Sequence, residues 1–509
     1  QKRIRSMEFL TLDLYLSGLK YFADPLMFVA SFLGVFVGIV FGALPGLTAT
    51  MTIAVFLPFT FGMSPYISFA FLLGLYSGAV YGGSISAILI NIPGTPSAIA
   101  TTLDGYPMGQ AGRAGEAIGI STIASTAGGL LSVLALMFTA PLIASVALRF
   151  SAEEYVGLSL IGLSVIAIIS PGSTIKGLIS GVLGLIVGVV GLDPMTNFPR
   201  FVMNNPELLD GISPIPVMIG AYGLSEMLAQ IADEEYIAVV KQKIGKLLPP
   251  AAELRRIVGC VARSSLIGVF IGALPAAGGS IAALVAYGQE KRFGKRKELL
   301  GTGIAEGIAA PESANNASTG GALIPMLTLG IPGDSMTAVL MGGLIMQGLS
   351  PGPLLFQQQM PFVSSIFISL LLSVVFILVI GLLGARIFAR IIGFPKKYLI
   401  PAILVFSLVG SYAIGNSIFD IWVFIASGVA GFVMIKLGFP IAPLILGLVL
   451  GPLFESNLRR ALMLSQGNWA TFVERPISLA FLVAVVFVLT GPYLVPWLRR
   501  LVSRKAGGT

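Results

Sequence analysis

The chain has 509 residues, 56% of them hydrophobic and 11% charged, with mean hydropathy +0.94 and formal net charge +8. A soluble chain carries about 25% charged residues, so this composition describes a polytopic membrane protein and excludes an ordinary soluble domain. The absence of histidine and the single cysteine, Cys260, exclude histidine-based catalysis, histidine metal ligands, histidine proton relays and an intrachain disulfide.

The apolar runs are long and solid, which indicates membrane helices rather than the short alternating segments of a β-barrel. The modest basic excess is read as the positive-inside bias of cytoplasmic loops, not as nucleic-acid binding. Residues 1–23 form a leader, cytoplasmic or interfacial, whose first residues are native or added sequence. The first apolar run, Pro25–Phe41, leads straight into FGALPGLTAT (Phe41–Thr50) and is not read as a cleavable signal. There Gly42-Ala43-Leu44-Pro45 breaks the run and small hydroxyl residues follow. A second break, Asn91-Ile-Pro-Gly-Thr-Pro-Ser97, comes after Gly82-Gly83. Residues 25–103 carry no charged side chain, so polarity here comes from backbone, amide and hydroxyl groups.

Further on, Lys176 in SPGSTIKGL is read as a snorkelling side chain at an interface. The stretch Ala232–Arg256 is charged and linker-like, and Lys241, Lys243, Lys246, Arg255 and Arg256 place it in the cytoplasm. After it the motifs return. Gly272-Ala273-Leu274-Pro275 repeats the first break, Gly320-Gly321 the glycine pair, and Ile331-Pro332-Gly333 the second break. GVAGFVMIKLG (Gly428–Gly438) repeats GVLGLIVGVVG (Gly181–Gly191). The offsets of 230, 238, 239 and 247 rise in order, as a collinear duplication requires. The expected organisation is repeat 1 over 24–230, a cytoplasmic linker over 231–262, repeat 2 over 263–501 and a tail over 502–509. Glu153-Glu154-Tyr155 aligns with Lys396-Lys397-Tyr398, and the swapped charge favours inverted repeats; the basic linker and C-terminus fit parallel ones about as well.

Ser264–Gly288 indicates how the breaks are used. Arg263 precedes it, and Lys291, Arg292, Lys295, Arg296 and Lys297 follow. Two basic flanks on one side demand an even number of crossings, yet ALPAAGGS leaves two arms of roughly ten residues, and a crossing takes about 20. The expectation is a re-entrant hairpin turning at Pro275–Gly279, with the first GALP a similar turn. Backbone of this kind survives at membrane depth only where protein or a watery cavity surrounds it. A helix arm starting at such a tip directs N–H groups and a partial positive charge at a ligand, which suits a carboxylate. The candidate anion contacts are Pro45, Gly46, Thr48, Thr50, Ser84, Asn91, Gly94, Thr95, Ser97, Gly278, Gly279, Ser280, Gly333 and Ser335. In AAPESANNASTGG (Ala309–Gly321) carboxylate, amide and hydroxyl oxygens crowd beyond what a plain helix needs. The 88 residues between Lys297 and Arg386 contain no basic side chain. Glu312, Ser313, Asn315, Asn316, Ser318, Thr319 and Asp334 are therefore candidate ligands for Na⁺ or a proton. No other cofactor is expected.

These motifs carry a resemblance. GALPGLTATMTIAVFLPFTFGMSP, YGGSISAILINIPGTPSAIATTLDGYPMGQAGRAGEA, GLDP (Gly191–Pro194), PESANNASTGGALIPMLTLGIPGDSMTAVLMGGLIMQGLSPGP and APLILGLVLGPLFE (Ala442–Glu455) resemble the large membrane subunit of tripartite tricarboxylate transporters, the TctA type. The signature stretches fall at Pro45–Thr50, Gly82–Ser97, Pro311–Thr319 and Ile331–Ser335. The resemblance implies a permease of the bacterial inner membrane. Its implied partners are a small membrane subunit of about four helices and a periplasmic solute-binding protein. It also implies uptake of di- or tricarboxylates driven by a cation gradient. Citrate, other carboxylates and aromatic acids all remain open as substrates. No GxxxxGK[ST] motif is present, so direct ATP drive is not expected. The rival readings are a carrier or anion channel needing no binding protein and, remotely, an intramembrane enzyme. Asp334 and Asp420 do not stand in the G-x-G-D context that an aspartyl protease would use.

Overall fold

The computed structural model describes residues 18, 24–169, 173–232, 242, 244–275 and 277–506. Nearly all of the leader, Lys241, Lys243 and the last three residues of the tail lie outside these. Among the described residues the architecture is α-helical, with one two-residue strand pair, Gly191–Leu192 against Pro199–Arg200. Among the described residues eight helical segments are long and apolar enough to cross a membrane. The chain is an all-α polytopic membrane protein with broken helices.

Two compact units emerge, Gln1–Leu148 with Ile215–Val433, and Arg149–Pro214 with Met434–Thr509. Each predicted repeat contributes to both. The first unit contains α1 (Pro25–Ala43), α2 (Ala49–Phe56), α3 (Pro65–Ile90), α4 (Ile99–Met108) and α5 (Ala114–Ala147). Its later helices are α8 (Pro214–Ala232, nearly all in this unit), α9 (Ala251–Gly272), α10 (Gly278–Phe293), α11 (Ala305–Leu329), α12 (Ser335–Met346), α13 (Met360–Ile391) and α14 (Lys396–Gly415). The second unit holds α6 (Ala152–Ile169), α7 (Thr174–Gly188), α16 (Ile441–Leu464) and α17 (Pro476–Ala506). Helix α15 (Ile418–Lys436) runs across the boundary in sequence.

The turns are set by local chemistry. Ser64 caps α3 ahead of Pro65 at the first helical position, and Asn91 ends it in the left-handed region at φ 60°. Gly330 ends α11 the same way at φ 71°, and Ile331-Pro332 follows. Thr48 caps α2 by accepting the Met51 N–H at 3.1 Å. Asp334 caps α12 in a capping box with Thr337.

Glycine fixes the close helix contacts. On α1, Gly34, Gly38 and Gly42 face α3; on α3, Gly74, Gly78 and Gly82 face back. A Cβ on any of the six would collide with a backbone carbonyl of the other helix. Lipid supplies no hydrophobic drive between helices, so such backbone proximity is how membrane helices gain packing energy. The same contacts recur further along the chain. Gly38 meets the Leu75 carbonyl and Gly42 that of Ala79; Gly268 meets Ala314 and Gly272 meets Ser318. Gly82 lies against Ile39, and Gly321 against Val269. This packing relates α3 to α11 by 239 residues, so Gly82 stands where Gly321 does, one residue from the register read at the glycine pair.

Two expectations change. The arms around Ala273–Ala277 are not ten residues each: α9 has 22 and α10 has 16. Charged residues do not end a helix, so Ala251–Ala262, expected as linker, continues into the apolar arm. The two helices still fold back on one another around the break. The polar stretch Ala309–Gly321 is plain helix, part of 25 helical residues, and every residue from Ala305 to Thr328 is buried. Its hydroxyls bond backward, Ser313 to Ala309, Ser318 to Asn315 and Thr319 to Asn316, all at 2.7 Å.

In the second unit, Asp193 of GLDP accepts the Met195 and Thr196 N–H groups at 2.9 and 3.0 Å and pairs with Arg459 at 2.7 Å. The backbone donors hold its carboxyl below the usual carboxylate range. Arg459 also pairs with Glu455 at 3.0 Å, and Glu455 with Arg200, which pins the hairpin to α16. Lys176 does not simply snorkel: its Nζ donates to the Leu437 carbonyl at 2.6 Å.

Candidate functional site

The candidate site is a line of buried polar groups along one face of α3. Tyr76, Val80 and Ser84 lie one helical turn apart on that face. Tyr76 Oη donates to Asp334 Oδ2 at 3.2 Å. The Val80 carbonyl receives Asn315 Nδ2 at 3.3 Å. Ser84 Oγ receives the Ser121 hydroxyl at 2.7 Å. Glu312 lies one turn before Asn315 on α11. It accepts from Ser125 at 3.1 Å and from Thr101. Glu312 is fully enclosed, Asn315 is 1% exposed and Asp334 6%. The line therefore draws on α3, α4, α5, α11 and α12, all within the first unit.

Both predicted tips border protein. Gly278, in the left-handed region at φ 58°, begins α10 beside Asp334, and Gly279 lies against Asn315 and Ser318. Ser280 is half-buried one residue on. Gly333 packs on Ala322, and Ser335 opens α12. Thr95 Oγ1 and Ser97 Oγ are 3.0 Å apart and buried, with Thr95 against Gly83. Gly94 reaches the carbonyl of Gly42, so the first two breaks touch. Other candidates lie apart from this line. Asn91 is exposed and serves to end α3. Gly46 turns at φ 89° and its carbonyl receives the Gln230 amide. Pro45 lines a small apolar pocket with Leu44, Leu47, Gln230 and Ile400. Thr48 and Thr50 are half-buried at the start of α2. Ser313, Asn316 and Thr319 bond within their own helix, Asn316 Nδ2 to the Glu312 carbonyl at 3.2 Å. Among the described residues no group of three or more Cys, Asp or Glu is placed to hold a metal ion.

Sequence reasoning missed Asp104, Thr101, Ser121, Ser125 and Tyr76. Asp104 had a signal: it is the only charged residue between Asp24 and Arg113. It is fully buried and accepts from Tyr287 Oη at 2.9 Å, from the N–H groups of Gly301 and Gly303 at 2.9 Å each and from Ile304 N–H at 3.1 Å. One carboxylate thus fastens α4 to α10 and to the start of α11. Thr101, one turn back on α4, holds Glu312. Replacing Asp104 by alanine leaves these donors, the buried Tyr287 and Ile304 among them, without that acceptor, at about 1–3 kcal/mol for each group not rescued by water. The expected result is a large fall in thermal midpoint in detergent. Asparagine, which keeps one acceptor oxygen, should recover part of it.

The family model described as "Tripartite tricarboxylate transporter TctA family" matches residues 28–446. An uncharacterised 52.8 kDa protein from the TAR-I ttuC′ 3′ region of Agrobacterium vitis is 39% identical over 475 residues, 93% of this chain and 94% of that protein. An uncharacterised protein from the TAR-II ttuC′ 3′ region of the same organism is 39% identical over 215 residues, 42% of this chain and 89% of that protein. No solved structure matches.

Proposed function

The chain belongs to the tripartite tricarboxylate transporter TctA family and is a multi-pass membrane transporter component, and we propose that it is the large permease subunit importing di- or tricarboxylate anions with Na⁺ or protons. On this reading it sits in a bacterial inner membrane. It works with a small four-helix membrane subunit and a periplasmic binding protein that delivers the anion.

One observation carries the coupling. The site contains two buried carboxylates, Glu312 and Asp334, and the sequence around it has no Lys or Arg from 25 to 112 or from 298 to 385. An anion entering such a place meets negative charge and no fixed cation. Burying that charge uncompensated is prohibitive in a low dielectric. A mobile cation entering with the anion removes the conflict. It also offsets the cost of moving an anion against an inside-negative potential, about 2.3 kcal/mol per charge per 100 mV. The helix start at Gly278 and the hydroxyls of Thr95 and Ser97 are the anion's donors. Glu312, Asn315, Ser318 and Asp334 are the cation's acceptors. The recurrence of the α1–α3 contacts between α9 and α11 supports a duplicated architecture, in which transporters place sites at the repeat interface.

The test is uptake of labelled carboxylates into proteoliposomes holding both membrane subunits. Uptake should require the binding protein and collapse when the Na⁺ and proton gradients are both removed. Full uptake without the binding protein would identify a stand-alone carrier. Uptake indifferent to both gradients would refute coupling.

A further inference from the structure

We propose that the start of α10 is a binding site for a monovalent cation of sodium's size, held by Asn315 Oδ1, Ser318 Oγ and Asp334. The proposal rests on the cation-coupled reading above and specifies where within that set the ion sits. Gly278 and Gly279 open α10. A Cβ at Gly279 would collide with Asn315 Oδ1 and lie 3.0 Å from Ser318 Oγ. A Cβ at Gly278 would lie 3.4 Å from Asp334 Cβ. Glycine thus keeps three side chains close around one helix start.

Asn315 is the telling residue. It is buried, and its Oδ1 has no hydrogen-bond partner among the described residues. Its orientation is determined, because Nδ2 donates to the Val80 carbonyl at 3.3 Å and a reversed amide would set two acceptors face to face. The orphaned oxygen therefore looks toward Gly279. Its neighbours are acceptors as well. The Ser318 hydrogen is committed to the Asn315 carbonyl at 2.7 Å, which leaves lone pairs on Oγ. Asp334 receives Thr337 N–H at 2.7 Å, Thr337 Oγ1 at 2.8 Å and Tyr76 Oη at 3.2 Å. The Met336 N–H reaches it as well, so Asp334 acts on the ion through its negative charge rather than through an open acceptor position. An amide oxygen, a hydroxyl oxygen and a carboxylate with no free donor among them suit a hard cation. One carboxylate among neutral oxygens suits a single charge, whereas calcium takes six to eight oxygens, several of them carboxylate. Glu312 differs by position: the atoms nearest a Cβ at Gly278 or Gly279 belong to Asn315, Ser318 and Asp334 and not to it.

The arrangement implies direct coupling. The start of α10 has no side-chain cap and its first N–H groups have no partner within the helix, so a substrate carboxylate held by them would lie beside the cation. Each then strengthens the other's binding by the same factor.

The test follows thermal unfolding of the purified full-length chain while NaCl replaces choline chloride at constant ionic strength. Wild type should show a saturable rise in midpoint with sodium that potassium does not reproduce. Asn315→Leu and Ser318→Ala should each need at least tenfold more sodium for half the rise. Asn315→Asp, which keeps oxygen at the position, should retain the response. Should the leucine variant not fold, the serine and aspartate variants decide. Unchanged sodium affinity in Ser318→Ala and Asn315→Leu, or an equal response of wild type to potassium, overturns the site. If proteoliposome uptake stays cation-driven in that event, only this location fails; if wild-type uptake ignores every cation gradient, the coupled reading fails with it.

Discussion

Replacing Glu312 by glutamine is expected to lower cation-driven carboxylate uptake a hundredfold or more while the protein still folds. The two effects separate because glutamine preserves volume and one acceptor oxygen. Thr101 and Ser125 both donate to Glu312, and their hydroxyls can turn to meet an amide. The net loss in stability is then about one hydrogen bond, on the order of 1 kcal/mol. The negative charge, however, is gone. In the proposed mechanism that charge makes entry of an anion unfavourable until cations arrive, so its removal unlinks the two. Exchange of internal for external carboxylate should survive better than gradient-driven accumulation, a split that misfolding alone would not produce. Alanine at the same place should instead destabilise by about 2–5 kcal/mol, because it opens a cavity and strands two buried hydroxyls. Equal accumulation by the glutamine variant and wild type, under the same gradient, would leave Glu312 a merely structural acid.

Much of this site is legible along the chain, and the remainder depends on contacts remote in sequence. The breaks after Ala43 and Gly272 show because proline and glycine end helices for local steric reasons. The helix ends at Asn91 and Gly330 show for the same reason, each being a left-handed residue one or two positions before an Ile-Pro step. The depth of PESANNASTGG does not show. Polarity normally marks a surface, but here each hydroxyl closes on its own helix backbone and Glu312 is answered by Thr101, 211 residues away. The extent of α9 is hidden for a related reason: Glu253, Arg255 and Arg256 mark the linker as charged, yet charge is compatible with a helix that continues into the apolar arm. The glycines at 34, 38, 42 and 74, 78, 82 stand four apart in the sequence and could have been read as a packing face. They were hidden among 62 glycines, where no single spacing stands out.

Those glycines carry the other large expected effect. Gly78→Leu should abolish recovery of folded protein, and Gly78→Ala should lower the thermal midpoint strongly. A Cβ at Gly78 falls on the Val35 carbonyl, and one at Gly82 would come within 2.5 Å of the Ile39 carbonyl. Backbone cannot rotate away as a side chain can, so α1 and α3 must separate along the whole seam. Overpacking of this kind costs about 1–3 kcal/mol for a methyl and more for a larger group. The strain would not stay local. Gly42 on α1 touches Ala79 with its Cα and Gly94 with its carbonyl, so shifting α1 also moves the 92–95 break that carries Thr95 and Ser97 toward the site. Gly42→Ala should therefore depress uptake more than its loss of stability explains, through a raised KM for the anion. Gly288 provides the contrast. It lies within α10 with nothing inside 4 Å of a Cβ, and alanine there should stabilise the helix by up to about 1 kcal/mol. Gly272→Ala, in the neighbouring α9 with a Cβ 2.5 Å from the Ser318 carbonyl, should do the reverse. Thermal melts of the two alanine variants side by side distinguish close backbone packing from a general preference for glycine: equal shifts would refute the packing argument, and opposite signs are its expected result.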